Sequence, residues 1–226
     1  MIGIFDSGAG GLAALRELRR LCPEEDILFL ADRKNAPYGN KTEDEITKIA
    51  EKNITSLLSL GAERVLIACC TASTVHKRLS QKSRLHSTPI IYPAAKAAVS
   101  LTENGRVAVI ATEHTARSRA FSKAVGNLNP NIAVAEFPAQ PLVEIAEAAA
   151  NGEKLSKSQK DEIEKILVLA LSEGADTLIL GCTHFSHLKN EIKSIAQNIK
   201  IADSALEGAR IMARSAGIGI GETIFL

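Results

Sequence analysis

Eight short apolar runs, separated by stretches with helical spacing, constrain this chain more than any other feature. They are residues 2–5 (IGIF), 27–31 (ILFLA), 64–69 (RVLIAC), 89–92 (PIIY), 106–111 (RVAVIA), 132–137 (IAVAEF), 176–181 (DTLILG) and 199–202 (IKIA). Continuous rather than alternating runs of this length predict strands buried on both faces, the habit of parallel sheets. The segments between them carry helix signals. Thr42 followed by Glu45 is a capping box. Ile46, Ile49, Ala50, Leu57 and Leu58 then form one apolar face, and Gly61 stands where a helix end calls for a left-handed residue. Residues 158–173 repeat the pattern with Ile163, Ile166, Leu167, Ala170 and Leu171 before Gly174. Regular strand–helix–strand alternation means right-handed βαβ units and an α/β doubly wound architecture with mainly parallel sheets.

The chain also resembles itself. Residues 58–73 (LSLGAERVLIACCTAS) and 171–186 (LSEGADTLILGCTHFS) align at a constant offset of 113, matching at Leu, Ser, Gly, Ala, Cys and Ser. Each is a helix end, a tight turn, a buried strand and a cysteine at the strand's carboxyl end. This predicts two similar lobes, 1–92 with 204–226 and 93–203, with an active site in the cleft between them. A length of 226 residues suits two small domains. With 27 Lys+Arg against 26 Asp+Glu and 46% hydrophobic residues, the composition excludes general disorder and gives no basic excess for nucleic acid. No apolar run is long enough to span a bilayer, and Met1 runs straight into a strand. Four cysteines do not make a disulfide framework in a chain of this size, so they read as free thiols of a cytoplasmic protein.

Ligands of open α/β sheets sit outside the carboxyl ends of the strands. Those ends carry Asp6-Ser7-Gly8, Asp32, Cys69-Cys70-Thr71, Thr112, Glu144 and Cys182-Thr183-His184. Two thiols in matching positions, each entering a helix, suit one reaction class. A proton is removed from one face of a carbon and another is returned to the opposite face, as in racemisation or epimerisation. Ser7, Thr71, Ser73, Thr112 and Thr183 could bind the substrate carboxylate, and Asp6 and His184 could orient or deprotonate the thiols.

Three other readings compete. Gly8-Ala9-Gly10-Gly11-Leu12-Ala13, with Asp32 ending the next strand, fits a dinucleotide fingerprint, but the Asp6 carboxylate would repel a pyrophosphate. Cys69, Cys70, Cys182 and His184 could form a metal or redox site, although adjacent cysteines chelate one ion poorly. A non-catalytic two-lobed binding protein is the third. Cys22, before Pro23, reads as structural, and His76, His86 and His114 as solvated.

The stretches IGIFDSGAGGL (2–12), APYGNKT (36–42), VLIACCTAS (65–73), GRVAVIATEHT (105–115), PLVE (141–144), LILGCTHF (178–185) and ADSA (202–205) resemble the glutamate racemases of the aspartate/glutamate racemase superfamily, nearly end to end. The resemblance implies a two-lobed enzyme that needs no cofactor or metal and supplies D-glutamate for peptidoglycan. It implies Cys69 and Cys182 as the paired acid/base thiols, with Asp6, Glu144 and His184 assisting them. Ser7, Pro37, Tyr38, Gly39, Cys70, Thr71 and Thr183 fall on substrate-contacting positions. The partners implied are a small-molecule amino acid and a second copy in a homodimer, with neither nucleic acid nor membrane. The family's Asn after the first cysteine is Cys70 here, its Pro after THF is Ser186, and a Cys-Pro before PLVE is replaced by Phe137-Pro138-Ala139-Gln140. These departures leave open a racemase of another amino acid, such as aspartate, or a weakly active paralogue.

Overall fold

Parallel pairing hides a strand on both faces only if helices return the chain each time, and that is how it runs. A computed structural model describes all 226 residues. The first compact unit is Met1–Pro93 with Ala205–Leu226, and the second is Ala94–Ser204. In chain order the elements of the first stretch are β1 (Ile2–Asp6), α1 (Gly11–Leu21), β2 (Ile27–Ala31), α2 (Glu43–Ser59), β3 (Arg64–Ile67), α3 (Cys70–Ser73), α4 (Gln81–His86) and β4 (Ser87–Pro89). Helix α5 (Ile91–Leu101) carries the chain into the second unit. There follow β5 (Arg106–Ala111), α6 (Glu113–Ser118), α7 (Ala120–Leu128), β6 (Ala133–Pro138), α8 (Leu142–Ala150), α9 (Lys157–Leu171), β7 (Thr177–Gly181), α10 (Lys189–Ile195) and β8 (Lys200–Asp203). Helix α11 (Ser204–Ala213) leads back to the first unit, where β9 (Thr223–Phe225) ends the chain.

The first sheet has the order β4-β3-β1-β2-β9 and the second β6-β5-β7-β8, with every pair parallel. Strands β3 and β7 begin 113 residues apart and occupy the same place, next to the first strand of their sheet and opposite the second. The internal repeat is therefore a repeat of topology. Phe5, Leu28, Ile46, Ile54, Leu57 and Val65 belong to one core, and Ile110, Leu142, Ile163, Leu167, Leu178 and Phe185 to another.

Both helices with clear sequence signals form as expected. Thr42 and Glu45 make the reciprocal capping box at α2, and Ser156 with Gln159 makes a second at α9. Gly61 and Gly174 both take positive φ, +100° and +76°, which a side chain would resist. Other expectations shift. The 89–92 run is not a strand: β4 lies at Ser87–Pro89, and Ile91 and Tyr92 open α5. Strand β6 is a sheet edge and only partly buried, so its apolar run does not mark two covered faces. Strand β9 had no signal beyond a three-residue apolar run. It exists because Arg19 binds the Glu222 carbonyl (2.9 Å) and the Thr223 hydroxyl (2.7 Å), while Asp26 accepts from the Ile220 and Glu222 amides. His76 is not solvated, since its Nε2 is buried without a partner and burial lowers its pKa.

Candidate active site

In a sheet ordered β3-β1-β2 the chain runs from β1 outward to β2, then crosses back to the other side of β1. The crossovers therefore diverge between β1 and β3, the switch point at whose carboxyl end open α/β sheets bind their ligands. Asp6 ends β1 and Cys69 follows β3. The second sheet does the same between β5 and β7, whose ends lead to Thr112 and Cys182. Each of the two cysteines thus stands at the switch point of its own sheet, and each is the N-cap of a short helix. The Cys69 side chain caps α3, whereas Cys182 holds the N-cap position of the 3-10 segment Thr183–Leu188 without a side-chain cap bond.

The Cys69 thiol donates to Ser7 Oγ (3.3 Å), and its sulfur accepts the Ala72 amide (3.4 Å). Burial, followed by the Asp6 charge, pushes the thiol up to about 11, with the Ser7 and Ala72 contacts offsetting part of the rise. Asp6 is fully buried and accepts the Gly8 amide on Oδ1 (2.8 Å). The glycine loop therefore binds the chain's own carboxylate, the reverse of what a pyrophosphate cradle requires. Gly11 is small for a related reason, because a Cβ there would lie 2.5 Å from the Asp6 Cβ.

The loop after β2 is held from beneath. Tyr38, only 2% exposed, donates its hydroxyl to Asp32 Oδ2 (2.6 Å). Asn35 reaches both Asp32 oxygens at 2.9 Å, and Asn53 of α2 donates at 3.0 Å. Burial pushes the Asp32 carboxyl up, but these three donors outweigh it and hold it below its ordinary value; burial and Asp32 raise the Tyr38 phenol. So the Tyr38 hydroxyl is engaged inside the core, while Pro37 is exposed and Gly39 half-buried, with the Ala36–Pro37 bond cis. Cys70 and Thr71 are buried in the first turn of α3. Ser73 is occupied structurally, donating to the Ile67 carbonyl (3.0 Å) and accepting from the Ile90 amide (3.1 Å).

In the second unit the Cys182 sulfur lies 3.5 Å from His184 Nδ1, and His184 Nε2 lies 3.3 Å from Glu147 Oε1. Helix α8 brings Glu147 there by packing Leu142, Ile145 and Ala146 into the core that holds Phe185 and Leu188. Glu144, singled out from the sequence, is exposed in the first turn of α8. Glu147 was missed, although its i+3 spacing from Glu144 places both on neighbouring positions of one helix face. Asn53 and the depth of Asp32 were also missed, since a buried amide inside an apolar helix face leaves no periodic signal. Thr183 is buried beside Cys182, and the Thr112 hydroxyl donates to Thr115 (2.9 Å). Ser186 donates to Asp203 (2.6 Å). No group of three His, Cys, Asp or Glu side chains converges as a metal site would require.

Duplicated parallel sheets, each followed at its switch point by a cysteine in the N-cap position of a short helical segment, define the class: a two-unit α/β racemase. The chain belongs to the Asp/Glu/Hydantoin racemase family, whose model matches residues 3–212. It is similar to the glutamate racemase of Geobacter metallireducens, 36% identical over 94% of this chain and 78% of that one. The glutamate racemase of Pseudomonas aeruginosa is 35% identical over 94% and 80%. Among solved structures, a glutamate racemase of Francisella tularensis in complex with D-glutamate superposes with a TM-score of 0.81 at 27% identity, covering 99% of this chain and 86% of that one. One of Bacillus anthracis gives 0.87 at 26% identity, covering 100% and 86%. No helix is long and apolar enough to cross a membrane.

Proposed function

We propose that this racemase interconverts L- and D-glutamate without a cofactor, using Cys69 and Cys182 on opposite faces of one Cα. In one direction a thiolate takes the Cα proton, the electron pair passes into the carboxylate-stabilised carbanion, and the other thiol returns a proton to the opposite face. The reverse direction exchanges the two roles. Asp6 and Ser7 attend Cys69, and His184 attends Cys182. Glu144 belongs to the proposed set by resemblance, and Pro37, Tyr38, Gly39, Cys70, Thr71 and Thr183 are the proposed substrate-contacting positions. The observation that carries this reading is the equivalent placement of the two cysteines at switch points of matching sheets. Relatives about one-third identical along most of the chain, named glutamate racemases, support the substrate. A cytoplasmic homodimer feeding D-glutamate to cell-wall synthesis is the setting we propose.

Cys70 supports a second reading, poor use of glutamate or preference for another amino acid, because a thiol is a weak hydrogen-bonding group where an amide would bind well. The deciding experiment is Cα–deuterium exchange of L- and D-glutamate and L- and D-aspartate in D2O, followed by NMR. Exchange and racemisation of glutamate by the unsupplemented protein are expected. No exchange with glutamate, or a requirement for added NAD or pyridoxal phosphate, overturns the reading.

A further inference from the structure

Glu147 is the one carboxylate shown in contact with the histidine that touches Cys182, and nothing in the sequence marked it. The chain of contacts runs Glu147 Oε1, His184 Nε2, His184 Nδ1, Cys182 Sγ, at 3.3 Å and 3.5 Å. A neutral imidazole carries one N–H, and the hydrogen bond made by one nitrogen fixes the state of the other. With Nε2–H donating to Glu147, Nδ1 is bare and faces the thiol.

We propose that Glu147, rather than Glu144, is the positioning residue for the Cys182 thiol, holding His184 in the tautomer whose Nδ1 can take the thiol proton. In that step the S–H bond breaks, its electron pair stays on sulfur, and the proton moves to Nδ1. The resulting imidazolium lies against the thiolate on one side and the Glu147 carboxylate on the other. The inference rests on Cys182 acting as an acid/base thiol.

Other titratable groups lie on the elements packed around the 3-10 segment. Helix α8 also carries Glu144, which is exposed; the segment itself carries His187; and α10 carries Lys189, Glu191 and Lys193. Strand β7 carries none. Asp203, at the end of β8, is engaged by Ser186 (2.6 Å) and Lys189 (3.3 Å). The Glu147 side chain is 52% exposed and that of His184 only 13%, so the carboxylate lies largely in solvent while the ring it orients is mostly covered. The effect should therefore be that of a screened ion pair, and Glu147 should be replaceable without loss of fold.

The test is iodoacetamide alkylation of the folded protein from pH 5 to 9, with Cys182 and Cys69 followed separately by peptide mass mapping. Glu147→Gln should slow Cys182 alkylation at pH 7 by about twofold to fivefold, the range that exposed ion pairs support. It should also move the Cys182 profile to higher pH and leave that of Cys69 in place. Glu147→Asp should recover part of the rate, and Glu144→Gln should follow the wild type in this assay. The proposal is overturned if Glu147→Gln follows the wild type, if Glu144→Gln slows Cys182 as much, or if both thiols shift together. Wild-type racemisation by Cys182→Ala would instead overturn the two-thiol reaction, whatever the alkylation profile shows.

Discussion

The surroundings of Cys69 and Cys182 are the same scaffold equipped differently. Both residues follow the third strand of their sheet, at its switch point, and both take the N-cap position of a short helical segment. Cys69 is enclosed with a fully buried carboxylate and a serine hydroxyl, and its thiol is held up to about 11. Cys182 has an imidazole at 3.5 Å, itself backed by a half-exposed carboxylate. The repeated backbone places a sulfur; the neighbours decide whether its proton is retained or shared. A two-base reaction run in both directions can use such a difference, because at any moment one thiol must be protonated and the other not.

The largest test of this comparison removes one side. Cys69→Ala and Cys182→Ala should each reduce racemisation about a thousandfold, within the range general acid–base groups contribute. A variant that racemises near the wild-type rate would show that the two sides are not partners. Next comes the support beneath the Cys69 side. Asp32→Ala leaves the Tyr38 hydroxyl and the Asn53 amide without their buried acceptor, a loss of about 2–4 kcal/mol in urea unfolding. Because Asp32 titrates below its ordinary 3.8 in the fold, its contribution is present above that pH and fades as pH falls through the folded value. The wild-type advantage over the variant should therefore shrink on acidification, and a constant gap would remove the charge from the account.

Substrate contact at the first thiol is probed by Cys70→Asn, which should raise kcat/KM on glutamate about threefold to tenfold, the value of a restored neutral hydrogen bond. An unchanged or lower value in a folded variant means the position does not touch substrate. A smaller effect is expected from Asp6→Asn. The carboxylate's push is second to burial in raising Cys69, so alkylation of Cys69 should begin at lower pH without reaching ordinary thiol behaviour. The smallest lies in the edge strand of the second unit. Burial raises the Glu136 carboxyl above its ordinary value, and its Oε2 has no partner. Its contribution to stability is therefore full at low pH and lost as pH rises through the folded pKa. Relative to the wild type, Glu136→Gln should be more favourable at pH 7 than at pH 4 in urea unfolding, by a solvent-screened amount below about 1 kcal/mol.

Periodicity in the sequence determined where strands and helices alternate, that the strands pair in parallel, and that two halves repeat around Cys69 and Cys182. These are local and summed signals: a continuous apolar run can be hidden only by covering both faces, and a capping box works within four residues. The roles proposed for Asp6, His184 and the APYG loop likewise come from contiguous stretches. Only the tertiary structure decided what depends on groups far apart in the chain. It turned Tyr38 inward because Asp32 and Asn53 meet there from β2 and α2. It put Glu147 rather than Glu144 on His184, because the packing of Ile145 and Ala146 sets the rotation of α8. It made a strand of Thr223–Phe225 because Arg19, two hundred residues earlier, supplies the hydrogen bonds. A side chain's neighbours across the fold are chosen by packing, and packing has no period to read.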